Sequence, residues 1–256
     1  MTPSPWLGWC IVLFVLTGLL ATLSALGERF SAEATRKALH IGMGLATLAL
    51  PWLFSETWPV VVLGIVVGSL FVALRWLAPL RSFGRALHAV QRNSLGEFYF
   101  VLAAVVIFVL AAGETVLFLI PILILTLADP AAALIGTRFG SRRYPTGAGK
   151  SVEGSIAFLA TAFYCAYFPL LLLTPHAAYS CAMLAAVVAA MTTLCEAVAD
   201  RGLDNLVVPL SAFVALQAVH PVMPAPAVGF ALIGLGVFLT IAALRILGTS
   251  RHERAF

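Results

Sequence analysis

ADPAAALIGTRFGSRRYPTGAGKSVEG, running from Ala128 to Gly154 behind an apolar run that begins at Val116, sets rare charges and flexible backbone against the end of a hydrophobic helix. An ionised carboxylate inside such a run costs roughly 2.5–3.5 kcal/mol unless a partner or water meets it, so Asp129 reads as a functional acid with a partner. Pro130 brings no N–H and crowds the turn before it, which predicts a kink and leaves the Thr126 carbonyl without its helical donor. Downstream, Gly136, Gly140, Gly147 and Gly149 alternate with Arg138, Arg142, Arg143 and Lys150. Close backbone approach and positive charge together suit a polyphosphate, although basic residues in such a loop also serve as topology signals. GAGKS invites comparison with a P-loop, but that cradle needs a glycine where Tyr144 stands and a strand ahead of it, and the sequence offers neither.

The surrounding chain explains why a charged loop here is exceptional. Of its 256 residues, 62% are hydrophobic and only 10% charged, with a mean hydropathy of +1.04, which excludes an ordinary soluble domain and predicts an all-α polytopic membrane protein. Apolar segments can be drawn at 6–26, 38–54, 58–74, 98–112, 116–136, 154–174, 179–199, 204–219 and 226–247, which predicts about nine transmembrane helices in a single domain, 1–256. The first run, Trp6 to Leu26, has no basic residue ahead of it and is longer than a signal-peptide core, so it reads as a retained helix.

All 15 Lys and Arg residues fall in alternate connections: 27–37, 75–97, 137–153, 200–203 and the C-terminal end with Arg245, Arg251 and Arg254. The N-terminus and the connections near 55–57, 113–115, 175–178 and 220–225 carry none, which places the N-terminus outside and the C-terminus in the cytoplasm. The same rule accounts for the net charge of +4, so no nucleic-acid partner is inferred. Spaced arginines among Trp76, Leu77, Leu80, Phe83, Leu87 and Val90 suggest an interfacial helix within 75–97, though Pro79 and Gly84 weaken it. Cys10, Cys165, Cys181 and Cys195 lack metal-ligand spacing and read as packing residues.

The remaining polar residues gather at the cytoplasmic ends of the segments. They are Arg36, Lys37 and His40; Asn93 and Glu97; Asp129; Lys150, Ser151 and Glu153; and Glu196, Asp200, Asp204 and Asn205. Residues four apart are helical neighbours, which puts Arg36 with His40, Asn93 with Glu97 and Glu196 with Asp200 on common faces. Mg²⁺ takes one or two carboxylates and shares its other positions with phosphate oxygens and water, which makes Asp129 and Asp204 its candidate ligands. Arg138, Arg142, Arg143 and Lys150 would neutralise a triphosphate from the loop side. Glu97, Glu196 and Asp129 all qualify chemically as the base for an acceptor hydroxyl.

The motifs RKALH (36–40), RNSLGEFY (92–99), ADPAAALIGTRFG (128–140), GKSVEGS (149–155) and EAVADRGLDNLVVPL (196–210) together resemble the CTP-dependent lipid kinases, the family of phytol kinase, dolichol kinase and the CTP-using diacylglycerol kinase. The resemblance runs from about 36 to 210 and implies a Mg²⁺-dependent phosphotransferase with CTP as donor and a membrane-embedded isoprenoid alcohol as acceptor. Carried over residue by residue, it implicates Asp129, Lys150, Ser151, Glu153, Glu196, Asp204 and Asn205, with Lys37 and His40 expected near the nucleotide. The implied setting is the bacterial inner membrane with the site on its cytoplasmic face. Phosphatidate cytidylyltransferase is similar across the same segment, but it carries a PGHGG stretch before its final acidic motif, whereas 187–205 here has no histidine and only Gly202. A transporter would hold its substrate near the midplane between repeated halves, and no repeat is visible. The alcohol is expected to enter sideways past Phe98, Phe100, Leu127 and Ile135.

Overall fold

The computed structural model describes residues 4–26, 32–76, 95–144, 149–200 and 202–219. Within them the chain is helical: α1 (Pro5–Leu26), α2 (Ala32–Leu48), α3 (Leu50–Leu53), α4 (Thr57–Trp76), α5 (Gly96–Ala111), α6 (Thr115–Leu123), a π turn (Ile124–Ala128), α7 (Asp129–Phe139), α8 (Val152–Leu173), α9 (Ala178–Val198) and α10 (Asp204–Val219). An isolated antiparallel bridge between Arg143 and Ser151 is the extended pairing found among the described residues.

Four stretches are long and apolar enough to cross a membrane: Pro5–Ala25, Thr115–Phe139, Val152–Leu173 and Ala178–Val198. Their outward side chains are those of a lipid-facing surface, with Phe14 80%, Leu172 76% and Tyr179 76% exposed. The chain is therefore a helical membrane protein. Thr57–Ala73, Gly96–Ala111 and Asp204–Ala218 are apolar but shorter. The expected segment 38–54 is not one helix, because α2 starts earlier, at Ala32, and breaks at Ala49. Pro51 is the cause: it has no N–H to donate to the preceding turn, and it sits in the first turn of the short helix that follows, where none is needed. Segment 226–247 and most of the expected interfacial helix lie outside the described residues.

The chain divides into two compact units. One comprises Met1–Phe118 with Arg201–Leu206. In it α1 packs on α2 and α4, and α4 on α5, around Leu39, Val60, Phe100 and Ile107. The Trp9 indole donates to the Pro59 carbonyl at 3.0 Å, tying α1 to the start of α4, where Trp6, Trp9 and Trp58 meet edge to face. Tryptophans gathered at one end of apolar helices are typical of a membrane interface.

The other unit comprises Leu119–Asp200 with Val207–Phe256, and α8 is its hub, packing on α7, α9 and the π turn. Small buried residues, Ala162 and Ala166 on α8 with Cys181, Ala185 and Ala189 on α9, let the backbones approach closely. Gly154 does the same toward α7: a Cβ there would stand 2.9 Å from the Ala132 carbonyl oxygen and 3.3 Å from Gly136 Cα.

The kink expected at Pro130 takes a specific form. The helix does not end but widens into the π turn over Ile124–Ala128 and resumes at Asp129, with Pro130 in its first turn. A wider turn relieves the clash between the proline ring and the carbonyl four residues back, and π turns of this kind recur at functional sites. The fully buried Thr126 directs its hydroxyl to the Ile122 carbonyl at 2.6 Å, an extra donor where the regular ladder is disrupted.

Candidate active site

The loop between α7 and α8 is held in shape by its own side chains. Tyr144 N–H donates to the Lys150 carbonyl and Val152 N–H to the Arg142 carbonyl, both at 2.9 Å, so residues 142–144 and 150–152 pair side by side. Gly149, at φ +69°, supplies the left-handed backbone on the return limb, and the Arg143 guanidinium donates to its carbonyl at 3.1 Å. Ser151 is the N-cap of α8, accepting from Gly154 N–H at 3.1 Å. Glu153 accepts from the Ser141 hydroxyl and, at 3.3 Å to each oxygen, from Arg142 N–H, so it pins the far limb of the loop to the first turn of α8. Ser151 and Glu153 thus shape the loop in which the sequence expected them to meet a nucleotide. Arg138 lies over the Phe139 ring, 5.5 Å from its centroid, at the end of α7.

Lys150 leaves this loop toward α9. Its ammonium stands 2.8 Å from Glu196 Oε1 and also donates to the Glu196 backbone carbonyl, joining residues 46 apart in the chain. The two side chains are 16% and 6% exposed, so the pair is largely withdrawn from water. Glu196 sits in the last turn of α9, where the helix dipole disfavours an anion and favours a cation. Lys150 compensates both the carboxylate and a terminal carbonyl of that helix. Ser155, 7% exposed and one turn beyond Ser151, completes the arrangement by donating to Glu196 Oε2 at 3.5 Å. The sequence reading passed over Ser155; its one available signal was the four-residue spacing from Ser151 within GKSVEGS.

Asp129 belongs to this unit, half-buried at the start of α7 directly after the π turn. Asp200 also lies here, but not on a face shared with Glu196. The helix ends at Val198 and Ala199 is extended, at φ −71° and ψ 138°, so the four-residue rule does not reach Asp200.

In the other unit, Arg36, Leu39, His40, Met43, Glu97, Phe100 and Asn205 line a cavity of about 10 Å³, room for about one water. Arg36 and His40 share a face of α2 as their spacing predicts. His40 meets the Phe100 ring edge-on, with centroids 5.3 Å apart. Asn205, buried, donates from Nδ2 to the Gly96 carbonyl at 2.9 Å, which docks the start of α10 onto the first turn of α5 beside Glu97. Asp204 opens α10 and accepts from Asn205 N–H at 3.1 Å, a favourable place for an anion at the positive end of a helix. Lys37 follows Arg36 on α2, half-buried; Asn93 lies outside the described residues. Phe100 is 2% exposed and packs inside the unit, so it does not line a lipid-facing opening as expected; Phe98, at 37%, does face outward. A wider cavity of about 670 Å³, lined by Glu56, Trp58, Phe108, Glu114 and Phe118, lies at the opposite end of α5 and contains none of the site residues expected from the sequence.

Among the described residues, no group of three or more His, Cys, Asp and Glu side chains is placed to hold a metal. Mg²⁺ needs as few as one protein carboxylate when phosphate and water complete its shell, and the carboxylate of Asp129 is a hard oxygen donor of that kind; Asp204, the other acid expected from the sequence, belongs to the other unit.

The chain is 31% identical to the phytol kinase of Synechocystis sp. over 190 residues, covering 70% of this chain and 76% of that protein. No protein-family model matches, and no solved structure matches.

Proposed function

The chain belongs to the CTP-dependent lipid kinase family that includes phytol kinase, and on that premise we propose that it phosphorylates an isoprenoid alcohol of the phytol type with CTP as donor and Mg²⁺ as cofactor. It is a phosphotransferase acting on an alcohol. The observation that carries the reading is the extended similarity to a phytol kinase. The loop Gly140–Ser151, with Arg138, Arg142, Arg143 and Lys150, supports the choice of a polyphosphate donor.

In the proposed reaction the alcohol oxygen attacks the γ-phosphorus of CTP, the bond to the β–γ bridging oxygen breaks, CDP leaves, and the hydroxyl proton passes to a base. Such a transfer asks the protein for positioning and charge neutralisation more than for covalent chemistry. The arginines and Lys150 bind and orient the phosphates; Glu153 and Ser151 keep the loop in the shape that presents them. Asp129 would hold the metal through its carboxylate, with phosphate oxygens and water completing the shell; Asp204 is the further acid that the family resemblance implicates. When bound, Mg²⁺ supplies charge neutralisation on the phosphoryl oxygens. Of the three acids that qualify as the base, Glu196 is already committed to Lys150, which leaves Glu97 and Asp129.

The acceptor sets the location. A prenol tail loses about 0.8 kcal/mol per CH₂ on leaving an apolar phase, so the alcohol stays in the bilayer and presents its hydroxyl at the interface. We place that interface on the cytoplasmic side, in the inner membrane, with about nine spans, the N-terminus outside and the C-terminus inside. A donor and metal panel tests the proposal: purified protein in nanodiscs with phytol should turn over CTP in preference to ATP and stop with EDTA. Equal use of ATP, or activity insensitive to EDTA, would overturn the donor and metal assignments. Pyrophosphate and a CDP-lipid as products would make it a cytidylyltransferase instead.

A further inference from the structure

We propose that Glu196 is the positioning residue for Lys150 and that Ser155 holds it in that role, so that Glu196 acts through the lysine on the nucleotide and not on the acceptor alcohol. This rests on the reading of CTP as donor.

The geometry carries the assignment. A lysine in a glycine-bearing loop has a flexible four-carbon stem and a mobile charge. Here the ammonium is fixed from two directions by one residue, through Glu196 Oε1 at 2.8 Å and through the Glu196 carbonyl. Carboxylate and carbonyl belong to the last turn of α9, a rigid element, and Ser155 on α8 steadies the second carboxylate oxygen at 3.5 Å. Lys150 also stands directly before the α8 N-cap, so the pair fixes its charge on the segment that pairs with Arg142 and Arg143. A carboxylate whose oxygens face an ammonium and a hydroxyl, at 6% exposure, would have to give up those partners to take the alcohol's proton. As a holder it needs no such rearrangement: an ammonium has three N–H donors, and a phosphate can join or replace the contacts to Glu196.

Steady-state kinetics of the full chain in nanodiscs, with CTP and phytol varied separately, tests this. Losing the holder costs about one charge-assisted contact, so Glu196→Gln should raise the CTP KM about tenfold, by more than it lowers kcat, and leave the phytol KM unchanged. Ser155→Ala should shift the CTP KM in the same direction by less, and Ser155→Thr should restore it. In a Lys150→Ala background, Glu196→Gln should add nothing. If Glu196→Gln instead cut kcat about 100-fold at unchanged CTP KM, Glu196 would be the base and the proposal would fall. Additive effects of the Lys150 and Glu196 changes would also overturn it. Should Glu196→Gln not fold, the Ser155 pair decides by the same KM criterion. Wild-type protein that turns over no CTP would refute the reading of CTP as donor and this inference with it, whereas normal CTP turnover with the wrong variant pattern would refute this inference alone.

Discussion

Lys150 and Glu196 form a pair whose removal by halves is costly. At 16% and 6% exposure, deleting one partner strands a largely buried charge, at about 3 kcal/mol, while replacing both with apolar residues of similar volume is often nearly neutral. Lys150→Ala should therefore lower the melting temperature in nanodiscs more than the double change Lys150→Met with Glu196→Leu; the reverse order would show that a stranded charge is not what the single change costs. Asp129 is a different case, an acid at a π turn on a membrane-length helix. Asp129→Asn keeps its size and loses only its charge, so the melt should be retained while turnover falls by about two orders of magnitude or more, given the several kcal/mol a metal contributes. Near wild-type turnover would remove Asp129 from the site. Sequence reading found Asp129 because a carboxylate in an apolar run is anomalous on its face. It named Lys150 and Glu196 but could not join them, since no local pattern links residues 46 apart. Ser155 escaped for the same reason: a serine one turn into a helix gives no sign of what lies across from it.

At the scale of elements, what was legible followed from charge-free length. The helices at Thr115–Phe139, Val152–Leu173 and Ala178–Val198 coincide closely with the hydropathy segments because apolar runs of 21–25 residues bounded by polar loops have one reading. The start of α2 at Ala32 was not legible, since its first turns carry Arg36 and Lys37 and dilute the apolar signal. The π turn was half legible: Pro130 announces that the ladder must break, but whether the helix kinks, ends or widens depends on neighbours such as the buried Thr126. The α7–α8 contact shows how packing sets the loop's shape. Gly154→Val should cost about 1–3 kcal/mol by forcing the Ala132 carbonyl and Gly136 apart, since a Cβ would already stand 2.9 Å from that oxygen. Gly18→Ala in α1, where a Cβ meets nothing within 4 Å, should be neutral or stabilising by about 0.5–1 kcal/mol. Parallel thermal melts compare them, and equal effects would contradict the close contact.

For the whole molecule, the membrane character was legible from composition, while the number and orientation of spans depend on the charge pattern. That pattern predicts that Ser55, between α3 and α4, and Ser141, in the basic loop, face opposite compartments. In a cysteine-free background, a membrane-impermeant maleimide should label Ser55→Cys in intact cells and Ser141→Cys only after lysis; the opposite pattern would invert the proposed topology. The reaction has one direct test. With CTP labelled at the γ-phosphorus and phytol in the bilayer, the label should move into the organic phase as a lipid monophosphate while CDP accumulates one for one. Label recovered as pyrophosphate, or cytidine carried into the lipid, would contradict phosphoryl transfer to an alcohol.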